Sequence, residues 1–238
     1  MITDFHSHVL PGIDDGSASL EESIAMLRMA SEQGIRHVIA TPHFYPRHDS
    51  PERFLARRDR AEAMLREEME KYDDLPKLSV GAEVYFFHGI SESDEIQALT
   101  IDKTGCILLE MQGSPWTDSM YHEMEEIRAK QGLMPLIAHV DRYIGPMRTY
   151  GIPDRLAQLP VMVQANASFF LRTATRGMAM RLLRNKQIHL LGSDCHNLTD
   201  RKPNLGFAVS AIEKKLGSDT ISWVENNETY VLKSKKNI

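Results

Sequence analysis

Short apolar runs punctuate the chain at 2–5, 37–41, 78–82, 106–109, 134–138, 161–165 and 188–192, each leading into a polar loop. Stretches with helical spacing fill the intervals, so the order reads as repeated strand and helix rather than a meander of hairpins. Ser19 precedes Leu20, Ile24, Leu27 and Ala30, with Glu22 three residues on, which predicts a capped helix that Gly34 closes. Ser50 and Pro51 open a long charged helix running to about Glu70, with Leu55, Met64 and Leu65 expected to face inward and the Arg and Glu residues to face water. Further helices are predicted over 117–131, 153–159, 175–185 and 205–216. Crossovers in parallel sheets are right-handed, and neighbours in sequence tend to be neighbours in space. A closed or nearly closed barrel of seven strands is therefore the simplest topology. An open doubly wound sheet is the alternative, and it would keep the first and last strand ends apart.

Composition narrows this picture. A chain of 238 residues that is 42% hydrophobic can bury one full core, and no repeat, low-complexity tract or linker interrupts it, so a single domain over 1–238 is expected. The formal charge of -5 argues against a nucleic-acid partner, since phosphate-backbone affinity comes from clustered Lys and Arg. Only KSKK near the C-terminus is basic, and it reads as a solvated tail. No apolar stretch approaches the roughly 20 residues needed to cross a bilayer, and MITDFHSH lacks the order of a signal peptide. No membrane insertion and a cytoplasmic location follow as expectations. Cys106 and Cys195 suit a reducing compartment, with Cys106 read as a core residue.

The chemistry collects where the runs end. His6 and His8 follow the first run, His43 the second, Glu83 the third, Glu110 the fourth, His139 the fifth, and Asp194 and His196 the last. Parallel barrels keep their chemistry on that rim, so these imidazoles and carboxylates are expected to converge on metal ions. Alternate strand residues share a face, which lets His6 and His8, and again Asp194 and His196, address one ion. Asp14 and Asp15 sit in the turn-prone PGIDDG, where one can swing to the rim while the other forms the turn. Pro42 and Pro46 stiffen the path around His43. A buried Glu83, Glu110 or His139 is costly unless paired, and coordination would relieve that cost, although each could also be a satisfied core group. None of the candidates is a thiolate, which suits Mn, Fe or catalytic Zn over structural zinc.

Read together, the order H-x-H, T-P-H, G-A-E, a strand-ending Glu, A-H-V-D-R and G-S-D-C-H-N resembles the PHP (polymerase and histidinol phosphatase) superfamily. DFHSHVLPGIDDG, HVDRY and SDCHNLTDR are most similar to the bacterial manganese-dependent tyrosine phosphatases of capsule and exopolysaccharide gene clusters. That resemblance implies a distorted seven-stranded β/α (TIM-like) barrel and three divalent metal ions, manganese foremost and iron or zinc as alternatives. It assigns His6, His8, Glu83 and Asp194 to one ion, Glu83, Glu110 and His139 to a second, and Asp15, His43 and His196 to a third. Arg142 and Arg201 match arginines that hold the phosphate. The implied partner is a phosphorylated bacterial tyrosine kinase with a tyrosine-rich tail. The loop TPHFYPRHDS departs from the shorter, more basic loop expected after that histidine, so Arg47 and His48 receive no role.

Phosphate-monoester hydrolysis needs a strong nucleophile at neutral pH and neutralisation of charge on the transferring group. Metal ions can lower the pKa of bound water from about 15.7 to near 7, giving a bridging hydroxide for in-line attack. A small-molecule phosphomonoesterase such as histidinol-phosphate phosphatase is the alternative, and a nuclease or a metal-stabilised binding module are further rivals. Cys195 and Arg201 also satisfy C-x5-R, the spacing of thiolate phosphatases, but HNLTD between them has no glycine to wrap a phosphate. His37, His88, His122 and His189 read as surface or edge residues, and Trp116 and Tyr45 as packing residues before substrate contacts.

Overall fold

Each apolar run forms a parallel strand, and two of the runs break into a pair. The strands are β1 (Thr3–Ser7), β2 (His37–Ala40), β3 (His43–Phe44), β4 (Lys77–Val80), β5 (Glu83–Tyr85), β6 (Cys106–Glu110), β7 (Met134–Ile137), β8 (Met162–Asn166) and β9 (Leu190–Gly192). They come from a computed structural model that describes residues 2–102, 104–113, 115–144 and 151–234. Lys235 and Lys236 of the basic C-terminal stretch lie outside the described residues.

β1, β2 and β4 pair in that order, while β3, β5, β6, β7, β8 and β9 form a second sheet. The two are one ring interrupted at the breaks. Thr41 N donates to Ser7 O at 2.8 Å, Gly81 N to Ala40 O at 2.8 Å, and Glu83 N to Pro42 O at 3.0 Å, so the ladder steps from one sheet into the next. Pro42, just past the second run, has no N–H of its own to give, and the third run breaks beside Gly81. Ser7 bridges Cys195 in parallel, with His8 N donating to Cys195 O at 2.9 Å, which joins the first run to the last. That closure excludes the open doubly wound alternative and bears out the seven-run barrel.

Helices α1 (Leu20–Glu32), α2 (Pro51–Met69), α3 (Asp118–Gln131), α4 (Ile152–Leu156), α5 (Ala167–Leu171), α6 (Thr173–Arg184), α7 (Leu205–Leu216) and α8 (Ser218–Lys233) accompany the strands. The α1 cap forms as expected: the Ser19 hydroxyl accepts from Glu22 N, and the Glu22 carboxylate reaches back to Ala18 N. The α2 face needs correction. Phe54, Ala61 and Leu65 are its buried residues, whereas Met64 is 49% exposed. At 100° per residue Met64 lies beside the buried stripe, and apolarity alone did not place it. Neither α5 nor α8 was expected from the spacing, because 218–233 mixes Asn, Glu and Thr among its apolar positions.

Two apolar clusters result. One lies between strands and helices, and a smaller one gathers Phe5, Leu108, Leu136, Met162 and Leu190 with Val231 of α8. Alternation along each strand carries the smaller face upward into polar positions: Leu108 leads to Glu110, Met162 to Gln164 and Asn166, Leu190 to Gly192 and Asp194. Gly192 is obligatory on that face, since a Cβ there would lie 2.7 Å from His6 Cβ and 2.8 Å from Gln164 Nε2.

Candidate metal centre

At the C-terminal end of the barrel the side chains converge into overlapping groups whose ligand-type atoms lie within 4.8 Å of one another. The groups are His6, His8 and Asp194; His6, Glu83 and His139; His43, Glu83 and Glu110; and His8, Asp15, His43 and His196. Every ligand position named from sequence is among them. The grouping is more shared than the three sets given above, because His6, His8 and His43 each stand in two groups. Two of these residues sit in left-handed backbone, His139 at φ 30° and Asp194 at φ 53°. Such conformations cost about 1–3 kcal/mol and persist only where surroundings fix them. Here Gln164 Oε1 accepts from His139 N at 2.6 Å, and Asp194 N donates to His6 O at 2.8 Å.

Hydrogen bonds behind the rings choose their tautomers. His8 Nδ1 donates to Asp14 Oδ2 at 2.8 Å, His6 Nδ1 faces Gln164 Oε1 at 3.4 Å, and His196 Nδ1 donates to the Asp194 carbonyl at 3.1 Å. Each arrangement turns Nε2 toward the centre, the orientation that metal-binding histidines receive from such partners. There His6 Nε2 lies 3.2 Å from His8 Nε2 and 3.1 Å from Glu83 Oε2, and His8 Nε2 lies 3.3 Å from the same oxygen. Asp15 is 65% exposed yet reaches both His43 Nε2 and His196 Nε2 at 3.4 Å. Asp14 is the turn former of the pair, accepting Gly16 N at 2.9 Å and His43 N at 3.0 Å besides the His8 ring.

His43 Nδ1, Glu83 Oε2, Glu110 Oε2 and His196 Nε2 are buried without a hydrogen-bond partner among the described residues. Leaving one such atom unsatisfied costs about 1–3 kcal/mol, and these residues fall in two adjoining groups that share His43, an arrangement divalent cations would satisfy. The donor set, all nitrogen and oxygen, fits such an ion. The electrostatics agree. Burial works against charge on His8, but the Asp14 and Glu83 carboxylates outweigh it and lift the ring to about 10, so without a metal the ring carries a proton that a cation at Nε2 would displace. Burial likewise opposes ionisation of Glu83, and His6, His139 and His43 overcome it, holding its carboxyl well below the usual range. Asp194 is brought to about 2 by His6, Arg142 and His8 against the cost of burial. Burial and the charge on His8 push His196 down to about 4, so it is neutral, as a ligand must be.

Two guanidiniums close the rim. Arg142 Nη2 donates to Asp194 Oδ2, Arg142 Nη1 lies 3.6 Å from Glu110 Oε1, and Arg201 Nη2 donates to Asp194 Oδ1 at 2.8 Å. They remain 40% and 36% exposed, which leaves N–H groups for a ligand. Cys195, by contrast, is 2% exposed, and burial with the Asp4 and Asp194 charges pushes its thiol far up. A thiolate nucleophile has no place there. The composition of the chain gave no hint of Gln164 and Asn166. Asn166 Nδ2 donates to Asp194 Oδ2 at 2.9 Å and its Oδ1 accepts from Gln164 at 3.1 Å, and the signal that could have found them is their parity with Met162. His88 and His122 are exposed, while His37 and His189 are half-buried away from the centre, bonded to Ser79 and to Val163 N.

The family model for capsular polysaccharide synthesis, CpsB/CapC, matches residues 2–233. Tyrosine-protein phosphatase YwqE of Bacillus subtilis is 27% identical over 98% of this chain and 92% of its own. Tyrosine-protein phosphatase CpsB of Streptococcus agalactiae is 26% identical over 95% of this chain and 96% of its own. Among solved structures, one from the work on YwqE of Bacillus subtilis and CpsB of Streptococcus pneumoniae, described as metal-dependent tyrosine phosphatases, superposes with a TM-score of 0.83 at 24% identity, covering 98% of this chain and 96% of that one. Histidinol phosphate phosphatase of Lactococcus lactis, solved with zinc, L-histidinol and phosphate, shares the fold at a TM-score of 0.53 and 14% identity, covering 95% and 92%.

Proposed function

The chain belongs to the capsular polysaccharide synthesis CpsB/CapC family, and from that premise we propose that it is a metal-dependent phosphatase hydrolysing phosphotyrosine in a protein substrate. The observation that carries the reading is the convergence of buried, unpartnered nitrogen and oxygen donors beneath two partly exposed guanidiniums. Its relatives named tyrosine-protein phosphatases, matched over nearly their whole length, support the choice of substrate.

In this reading His6, His8, Glu83 and Asp194 hold one ion, Glu83, Glu110 and His139 a second, and Asp15, His43 and His196 a third, with manganese expected. When bound, divalent cations supply Lewis acidity to phosphoryl oxygens and make water a usable nucleophile near neutral pH. The chain's own groups do the rest. Arg142 and Arg201 turn their free N–H groups to the equatorial phosphate oxygens, where charge-assisted bidentate hydrogen bonds favour the planar guanidinium. Asp14 and Gln164 keep the His8 and His6 lone pairs aimed inward, and Asn166 holds Asp194 in its left-handed turn. A phenolate leaves with a pKa of about 10, so no buried acid is required of the site.

The substrate we propose is a phosphorylated bacterial tyrosine kinase governing capsule or exopolysaccharide synthesis, met in the cytoplasm by a single phosphatase domain over 1–238. No helix among the described residues is long and apolar enough to cross a membrane. The test is elemental analysis of the purified protein, followed by phosphate release from phosphotyrosine, phosphoserine and histidinol phosphate after metal removal and manganese add-back. Manganese-restored turnover preferring phosphotyrosine is expected. A preference for histidinol phosphate would overturn the substrate assignment, and full turnover in the stripped protein would overturn the metal.

A further inference from the structure

We propose that Tyr45 is the residue by which the site selects an aromatic over an aliphatic phosphate ester, its ring forming the wall against which the substrate ring lies. The inference rests on the phosphatase reading above and adds a specificity element to it.

The placement follows from strand parity. His43 and Tyr45 flank Phe44, which is buried in the core, so Tyr45, just past the end of β3, projects to the same side as His43. The Tyr45 ring lies 5.2 Å from the His43 ring at 26°, close to parallel, and so covers one edge of the candidate metal centre. It is 37% exposed and sits where two cavities meet. One, of about 690 Å³, is lined by Tyr45, Tyr85, Phe87, His88 and Gln112. The other, of about 330 Å³, reaches Asp15 and His43. A phosphate among the donors and arginines would thus carry its organic group past Tyr45 into the larger space.

The wall is also held in place. Pro46 confines Tyr45 to extended backbone, and the Tyr45 carbonyl accepts from His48 N at 2.9 Å and Asp49 N at 3.1 Å. Asp49 is in turn paired with Arg57 at 2.6 Å, and Ser50 caps α2 immediately after. A pre-ordered aromatic face binds a second ring without a cost in freezing a loop. The other candidate, Trp116, is committed to its own neighbours. Its indole packs against Tyr143 at 5.0 Å and Tyr121 at 5.6 Å and donates to Gln112 O.

Titration calorimetry on the manganese-loaded protein, with phenylphosphonate, methylphosphonate and inorganic phosphate as probes, measures the ring contribution directly. Tyr45→Ala is expected to weaken phenylphosphonate about tenfold, the scale of a lost aromatic pair with its buried area, while moving methylphosphonate and phosphate less than about twofold. Tyr45→Phe, which keeps the ring, is expected to restore phenylphosphonate binding. Equal weakening of all three probes by Tyr45→Ala, no weakening of any, or failure of Tyr45→Phe to restore would each overturn the proposal. Hydrolysis of phenyl phosphate by the same wild-type preparation reports separately on the phosphatase reading. Turnover there together with an unselective Tyr45→Ala sinks the ring platform alone, and absence of turnover sinks both.

Discussion

One amide ties together three parts of the centre that lie far apart in sequence. Gln164 Oε1 accepts the backbone N–H of His139 and faces His6 Nδ1, while its Nε2 donates to Asn166, whose own amide donates to Asp194. Such a buried network is stable because every member is satisfied, and it fixes ligand directions that individual rotamers would leave open. Asp14 does the same for His8 with a full charge. Replacing it as Asp14→Asn keeps the shape and removes that charge, so metal affinity is expected to fall about 10–100-fold, measured by competition with a chelating indicator. Affinity within twofold of the wild type would mean that the His8 tautomer is set elsewhere. The candidate ligands other than Asp15 were legible in the sequence because they stand where apolar runs stop. Their supports were not, since Gln164 and Asn166 look like ordinary strand residues until their neighbours are known.

At the scale of elements, the strands were legible as apolar runs, but their breaks were not. Thr41–Pro42 and Gly81–Ala82 look continuous with the runs around them, and only the stepping of the ladder shows that each run serves two sheets. Helix α8 shows the opposite difficulty, a polar sequence whose apolar positions are spent against the lower end of the barrel. It also buries Glu228, which is 2% exposed, accepts Thr3 N at 3.0 Å through Oε2 and leaves Oε1 without a hydrogen-bond partner among the described residues. Burial lifts its carboxyl to about 8, against the hydrogen bonds from Thr3. The folded state therefore holds a proton that the unfolded chain releases near 4.5. Stability from this group is complete below that value and is lost as pH rises through 8. Relative to Glu228→Gln, the wild type is expected to lose on the order of a few kcal/mol between those limits, read from urea unfolding at several pH values. Parallel pH profiles for the two proteins would refute this account of Glu228.

At the scale of the whole molecule, closure decides the chemistry. Ser7 meets Cys195 across the chain's length, which sets His6 and His8 beside Asp194 and His196. Acidic and imidazole groups packed this closely are stabilised by any cation that binds only the folded barrel. With free metal at about 1,000 times Kd the gain is about 4 kcal/mol per independent site, which for a chain of this size raises Tm by about 10 °C. Scanning calorimetry with and without a chelator is expected to show that difference. A stripped protein melting at the same temperature would remove the centre's structural role.

The sequence by itself determined the periodic order of strand and helix, the rim positions of the ligands and the absence of a long apolar span, because each is a property of local pattern and residue type. Tertiary structure alone decided that the ring closes, that Asp14 turns to His8, that Met64 faces water, and that Tyr45 stacks on His43. Those outcomes depend on which surfaces meet through space, and burial and hydrogen-bond satisfaction are settled only when distant segments compete for the same volume.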